Sequence, residues 1–201
     1  MGIAERRDRH RASLRREILD AARTLFIEEG FERVSMRKVA QRIEYSPTTI
    51  YLHFKDKAEL FNAVCEETFA QLTRKLDAIV ARGGDPVDMV REGLRCYAKF
   101  ALKHKEHYTV AFMLPQNPVI PFADSSAERA FQTLRDAVSG CIRARKFREV
   151  DVETTAQTLW AATHGVVALL IAKHGFPFID ADTLIDETID TMIEGLRRHG
   201  K

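Results

Sequence analysis

Two helix starts, at Ser35 and at Ser46-Pro47, stand so close together that they constrain everything around them. Ser35 is a fitting N-cap for a helix that buries Met36, Val39, Ala40 and Ile43. Ser46-Pro47 pairs a capping hydroxyl with a first-turn proline, whose missing N–H is no loss there. Only Glu44 and Tyr45 lie between, so the first helix has room for about two turns before the chain must bend sharply. Upstream, Leu14, Ile18, Ala21, Ala22, Leu25 and Phe26 recur on one face of a longer helix that Gly30 can end. A long helix over two short ones joined by a tight turn is a helix-turn-helix, and its second short helix, 47–54, can enter a DNA major groove.

The rest of the chain continues in helical periods. Asp56 with Glu59 makes a capping-box-like start for a fourth helix, carrying Leu60, Phe61, Val64, Leu72, Leu76, Ile79 and Val80 inward until Gly83-Gly84. Asp85-Pro86 begins a fifth, which breaks near residues 103–106. A short apolar stretch, 108–114, precedes a loop punctuated by Pro115, Pro118 and Pro121. Further helices are expected over 126–146, 151–174 and 182–198. Gly 10 and Pro 6 in 201 residues is a shortage of turn formers, and no strand alternation or repeat occurs. The expectation is an all-α fold of about nine helices, with an N-terminal three-helix helix-turn-helix domain over 11–71 (motif 35–54) and a C-terminal helical bundle over 72–201.

Charge is unevenly placed. Residues 1–57 carry 13 Lys/Arg against 9 Asp/Glu, whereas the remainder carries 18 against 20. Arg6, Arg7, Arg9, Arg11, Arg15 and Arg16 crowd the beginning; they suit phosphates, and equally suit a solvated basic tail. Cys65, Cys96 and Cys141 are an odd, scattered set with none of the pairing that zinc or redox motifs use, which fits a reducing cytoplasm. The apolar run 159–172 is interrupted by Thr163 and His164 and is shorter than the ~20 residues a membrane span needs. The early arginines are followed by no apolar signal segment, so a cytoplasmic protein with no membrane partner is expected. A nucleophile elbow, Walker loop, dinucleotide glycine turn or HExxH is absent from the sequence, so an enzyme is not expected.

On the 47–54 helix, Ile50 and Phe54 share one face and Thr48 and Leu52 the opposite one, flanked by Thr49 and Tyr51. The outward hydroxyls suit base edges or phosphates, Tyr51 and His53 suit the backbone, and Leu52 suits a thymine methyl. Lys55 and Lys57 flank the end of the helix, either as a phosphate clamp or as solvated charges, and Ser35 can cap its helix, touch phosphate, or both. The segment resembles the DNA-binding domain of the TetR family of transcriptional regulators. The likeness rests on Ile18-Leu19-Asp20-Ala21-Ala22, Leu25-Phe26, Gly30-Phe31, Val39-Ala40 and the run from Ser46-Pro47-Thr48-Thr49-Ile50-Tyr51-Leu52-His53-Phe54 through Lys55-Asp56-Lys57 to Leu60. By that resemblance Ser35, Arg37, Thr48, Thr49, Tyr51, His53, Lys55 and Lys57 fall where family members touch double-stranded DNA, Pro47 starts the reading helix, and the protein is a homodimer on an inverted-repeat operator. One position departs: Glu44 stands at the turn where the family usually has glycine, and a non-glycine residue in a left-handed cap costs about 1 kcal/mol.

The 151–174 helix is apolar nearly all round, and the last helix carries a broad apolar stripe. Two such helices from each chain would form a four-helix interface using Val167, Leu170, Ile171, Leu184, Ile185, Ile189, Met192, Ile193 and Leu196. Trp160 with His164-Gly165 resembles the signature of the WHG-type C-terminal domain of one TetR subgroup, and the two side chains either pack in the core or line a ligand cavity. His104 and His107 are spaced for a shared metal, but no third ligand accompanies them, so no metal or cofactor is expected. An effector pocket is expected among Phe100, His104, His107, Tyr108, Phe112, Met113, Phe131, Trp160 and His164, lined for an apolar or amphipathic small molecule. The resemblance implies a repressor released from its operator by that effector.

Overall fold

The computed structural model describes residues 2–114, 122–173 and 175–198. Among these residues the chain is helical with no strand: α1 (Ile3–Glu29), α2 (Met36–Arg42), α3 (Pro47–Tyr51), α4 (Lys57–Arg82), α5 (Pro86–Lys103), α6 (Lys105–Tyr108) with a π-turn at Thr109–Met113, α7 (Ser126–Arg143), α8 (Val152–Ala172) and α9 (Ala181–Leu196). Pro115, Pro118, Pro121 and His174, which the sequence reading places in a loop and at a helix end, lie outside the described residues. The expected cap at Asp85 forms, and Asp151 and Asp180 cap α8 and α9 in the same way. Asp85 accepts from the Val87 amide at 2.8 Å, Asp151 from Thr154 at 2.8 Å and Asp180 from Thr183 at 2.9 Å, each satisfying an otherwise orphaned N–H.

The chain forms two compact units, residues 1–68 with 106–121 and residues 69–105 with 122–201. In the first unit α1 lays Leu14, Ile18, Ala22 and Phe26 on Val39, Ile50, Phe54, Leu60 and Phe61, all at most 6% exposed. Phe26, Phe31 and Phe61 form a ring cluster with centroids 5.0 to 5.8 Å apart, two of the three contacts edge-to-face. The 106–113 segment belongs here rather than with the second domain expected from sequence. Tyr108 and Val110 are buried, the π-turn packs on α1, and His107 Nδ1 shares a hydrogen bond with Thr68 Oγ1 at 3.2 Å. Arg23 of α1 is almost wholly buried and bridges Asp20 and, on α4, Glu67, at 2.8 Å each.

α1 also begins much earlier than its apolar stripe foretells. Nothing in residues 3–13 breaks a helix, and the Gly2 amide donates to Glu5 Oε2 at 3.0 Å, closing the first turn.

In the second unit α5 packs on α7, α8 and α9. Arg91 and Arg95 of α5 pair with Asp190 and Asp186 of α9 at 2.6 and 2.5 Å, and Lys99 approaches Asp182 at 3.8 Å, a ladder rising one turn at a time. α7 ends as a Schellman turn, Arg145 taking φ 55° while the Lys146 amide donates back to Cys141. Phe147, 1% exposed, then makes an isolated antiparallel bridge with Arg197 after α9. α8 is longer than the uninterrupted apolar run in its sequence. With a mean hydropathy of 1.3 it is long and apolar enough to cross a membrane by length and composition, yet it packs against α5, α7 and α9. Only 33% of its apolar window is buried within the chain.

Candidate nucleic-acid interface

The turn between α2 and α3 is built from backbone bonds. α2 ends in a Schellman arrangement, with the Tyr45 amide donating to Ala40 O at 2.9 Å and the Glu44 amide to Gln41 O at 3.3 Å. That closure puts Glu44 at φ 59°, the left-handed conformation that glycine adopts freely. The turn keeps its shape in spite of the side chain. Glu44→Gly is therefore expected to stabilise the first unit by about 0.5 to 1 kcal/mol, read as a raised urea midpoint with unchanged slope.

α3 is held at both ends. Ser46 Oγ accepts from the Thr49 amide at 3.2 Å and lies 2.9 Å from Thr49 Oγ1, so the Thr49 hydroxyl is engaged in the cap. At the other end the helix stops at Tyr51 rather than Phe54, because the Ile50 carbonyl accepts from both His53 and Phe54 and tightens the last turn. Ile50 and Phe54 are buried while Tyr51 is 53% and Leu52 72% exposed. An exposed leucine beside an exposed tyrosine on a helix whose other face is sealed is a surface shaped for a partner. Thr48 is exposed next to them, and Tyr45, which the sequence reading passed over, stands exposed in the turn. Its only sequence signal is an aromatic residue in a two-residue turn.

The cations around this surface divide into two groups. Arg37 and Lys55 are exposed. Lys57 is committed elsewhere: its Nζ donates to Phe31 O at 2.8 Å and Glu32 O at 3.3 Å and sits 4.1 Å from the Phe31 ring centre. It ties α4 to the turn after α1, a contact between residues far apart in sequence. Ser35 accepts from the Lys38 amide at 3.3 Å as the N-cap of α2. Burial, with the positive charges of Arg11 and Arg15 behind it, pushes the His53 imidazole below its ordinary value of 6.5. Around α4's start Asp56 accepts from the Glu59 amide at 2.8 Å, while Glu59 accepts from the Lys55 amide at 2.7 Å.

Residues expected to line an effector site divide between the units. His107, Tyr108, Phe112 and Met113 belong to the first. In the second, Phe131 and Trp160 have ring centres 6.2 Å apart, Trp160 and His164 5.4 Å, and Phe100 and His104 4.8 Å. His164 Nδ1 and the Tyr97 hydroxyl share a hydrogen bond at 2.8 Å, and burial lowers the imidazole pKa from 6.5. A histidine held neutral by the fold adds stability that is present above 6.5 and lost as pH falls through the lowered value. Melting temperature is expected to drop less between about pH 7 and 5 in His164→Gln than in the unaltered protein. Among the described residues no group of three metal-ligating side chains occurs.

The nine residues expected at a dimer interface divide by exposure within the chain. Val167, Ile171, Ile185, Ile189 and Ile193 are 0 to 8% exposed within the chain itself and fill its own core. All-round apolarity hid which side of α8 faces inward. Leu170, Leu184, Met192 and Leu196 remain partly exposed. Beside them Leu169 is 48% exposed, and a Cβ at Gly165 would meet nothing within 4 Å.

A short helix with a sealed apolar face and an open hydroxyl-rich one, set on a three-helix platform, defines a helix-turn-helix DNA-binding protein. The model described as "Bacterial regulatory proteins, tetR family" matches residues 18–64, and that described as "Tetracyclin repressor-like, C-terminal domain" matches residues 90–194, more than half the chain. The chain belongs to the TetR family of transcriptional regulators. It is 39% identical over 75 residues to the HTH-type transcriptional repressor Rv1474c of Mycobacterium tuberculosis, covering 37% of this chain and 38% of that one. It is 35% identical over 80 residues to the HTH-type transcriptional repressor AcnR of Corynebacterium diphtheriae, 40% of each. The matches thus span less than half the length of these curated relatives. The fold is similar to that of a solved protein of unknown function from Rhodococcus sp. RHA1, with TM-score 0.76, 24% identity, and 92% and 96% of the two chains covered. It is similar also to the transcriptional regulator FadR of Bacillus subtilis in complex with stearoyl-CoA, with TM-score 0.76, 15% identity, and 90% and 98% covered.

Proposed function

We propose that the protein is a cytoplasmic, homodimeric repressor that binds an inverted-repeat operator and is released from it by an apolar or amphipathic small molecule. The observation that carries the DNA side is the exposed Thr48, Tyr51 and Leu52 on a helix anchored by buried Ile50 and Phe54. Thr48 and Leu52 read base edges in the major groove, and Ser35, Arg37, Tyr51, His53 and Lys55 hold phosphates. Pro47 and Thr49 shape the start of the reading helix, and Lys57 positions α4 beneath it.

The dimer side is supported by the α8 residues that its own chain leaves half-buried or exposed, Ala161, Leu169 and Ala172 among them. Ala161, Gly165, Leu169 and Ala172 follow one another at helical spacing on the outer face of α8, and Leu184 and Met192 stay partly exposed on α9, which packs against it. Small residues there admit close helix approach, and an isologous contact doubles the buried area. Leu169→Glu is expected to raise the dimer dissociation constant at least tenfold while leaving helicity intact, as measured by sedimentation equilibrium. An unchanged constant would remove this face from the interface.

The effector site is proposed in the second unit around Phe131, Trp160, His164 and Phe100, where apolar rings meet the Tyr97–His164 hydrogen bond. The acyl-CoA bound by the distant fold neighbour is one ligand of that amphipathic type to test. Release needs a coupling free energy of only about 1 to 3 kcal/mol, roughly a 5- to 150-fold change in operator affinity.

Capture of genomic fragments by the purified protein, against competing non-specific DNA, tests the reading. A shared inverted repeat among the enriched sequences is the expected result, whereas salt-sensitive capture with no shared motif would overturn it. On the recovered operator, Tyr51→Ala is expected to weaken binding to all sequences by about tenfold, while Thr48→Ala changes which bases are preferred.

A further inference from the structure

The first turns of α1 carry six arginines, and the helix-turn-helix accounts for none of them. Residues 5–13 are all exposed and, apart from Ala12, polar, so this stretch of helix overhangs the core without packing on it. The family match begins only at residue 18. Where α1 lies on the helix-turn-helix its inward stripe is Leu14, Ile18, Ala22 and Leu25. Stepped backwards at the same spacing, that stripe continues through Arg11 and Arg7. The face that is apolar over the core turns cationic where the core ends.

That face points to the reading helix. Arg15, flanking the stripe, places its guanidinium 4.9 Å from the centre of the Phe54 ring, and the charges of Arg11 and Arg15 both act on His53. His53 follows Tyr51 and Leu52, the exposed end of α3. Among the described residues neither Arg7 nor Arg11 is paired with a carboxylate; Asp8 and Glu5 are the acids on this stretch, and both lie off the stripe.

We propose that the overhanging face of α1, through Arg7 and Arg11, is a second DNA-binding site that grips phosphates beyond those reached by the reading helix and lengthens the footprint of each half-site. It rests on the DNA-binding reading above. The occupant is duplex DNA because the patch continues the reading surface and matches its polyanionic backbone, and residues 5–11 offer no apolar side chain to hold a protein partner. The contact is to phosphate and carries no base preference.

The test compares Arg7→Ala/Arg11→Ala with Arg9→Ala/Arg16→Ala, which removes the same charge from the opposite face. Both are titrated on the recovered operator and on a mixed-sequence duplex over a range of salt. Each phosphate contact contributes about 0.9 to the slope of log affinity against log salt, so the first variant is expected to flatten the dimer's slope by roughly 3 to 4. Footprinting is expected to show protection retracting at the outer edges of the operator, with base preference unchanged. Equal flattening by both variants would reduce the proposal to general charge attraction and overturn it, as would a slope and footprint identical to the unaltered protein. In either case Thr48→Ala reports separately on the regulator reading, because a change in preferred bases upholds that reading whatever the arm does.

Discussion

Phe61→Ala is expected to cost the first unit about 3 to 5 kcal/mol, a large share of the 5 to 15 kcal/mol that holds a typical domain folded. Phe61 is fully buried and touches both Phe26 and Phe31, so truncation empties the centre of a three-ring cluster that joins α1, the turn after it and α4. The cavity cannot collapse easily, since each lining element is held elsewhere. Because α3 stands on the same core through Ile50 and Phe54, the reading surface loses its footing with the stability. Urea denaturation followed by far-UV circular dichroism should show an early transition, with operator binding lost in parallel. Phe61→Leu keeps a branched apolar side chain in place and is expected to cost about 1 to 2 kcal/mol. An unchanged midpoint for the alanine variant would contradict the assignment of this cluster as the unit's centre.

The second large effect is electrostatic. The Arg23 side chain is 9% exposed, and its Nε is buried without a hydrogen-bond partner, while its terminal nitrogens hold Asp20 and Glu67. Asp20 is mostly in water, so Glu67 on α4 is the partner that matters to the buried charge. Glu67→Ala leaves a guanidinium enclosed with one solvated counter-ion and is expected to cost about 2 to 3 kcal/mol, below a fully buried pair because Glu67 is one-third exposed. Replacing both residues by methionine is expected to recover most of that loss, since the burial cost of the charge disappears with it. A double-mutant cycle measures the coupling. If the single and double variants were equally unstable, the pair would be a packing contact and not a charge pair.

Much of this fold is legible in the sequence because helix ends are chemical. Ser35, Ser46-Pro47, Asp85-Pro86 and Asp151 mark starts that the backbone obeys, whereas the left-handed turn at Glu44 follows from the family resemblance and not from the residue itself. Apolar periodicity fails where a helix has no core beneath it, so the overhang of α1 before Leu14 passes for a tail. It fails again on α8, whose apolar residues surround the helix and give no phase; Val167 and Ile171 look no different in sequence from Leu169. Segment 106–113 is too short to declare which core it joins, because its partners on α1 and α4 are distant in sequence. At the candidate site the exposed face of α3 follows from the positions of Ile50 and Phe54. The engagement of Lys57 by two backbone carbonyls does not, since nothing about a lysine names the carbonyl it will find.

The ladder between α5 and α9 is a vernier with a repeated mark. Acids recur on α9 at Asp182, Asp186, Asp190 and Glu194, every four residues, so sliding that helix by one turn would offer Arg91, Arg95 and Lys99 a fresh set of partners. Charge alone therefore fixes the rotation of α9 and leaves its position along the axis degenerate. Two other features break the tie: the slip would carry Arg197 into the buried place of Ile193, and it would tear the bridge between Phe147 and Arg197. The few residues after the last helix thus act as an index pin, and with them goes the choice of which side chains of α9 face outward.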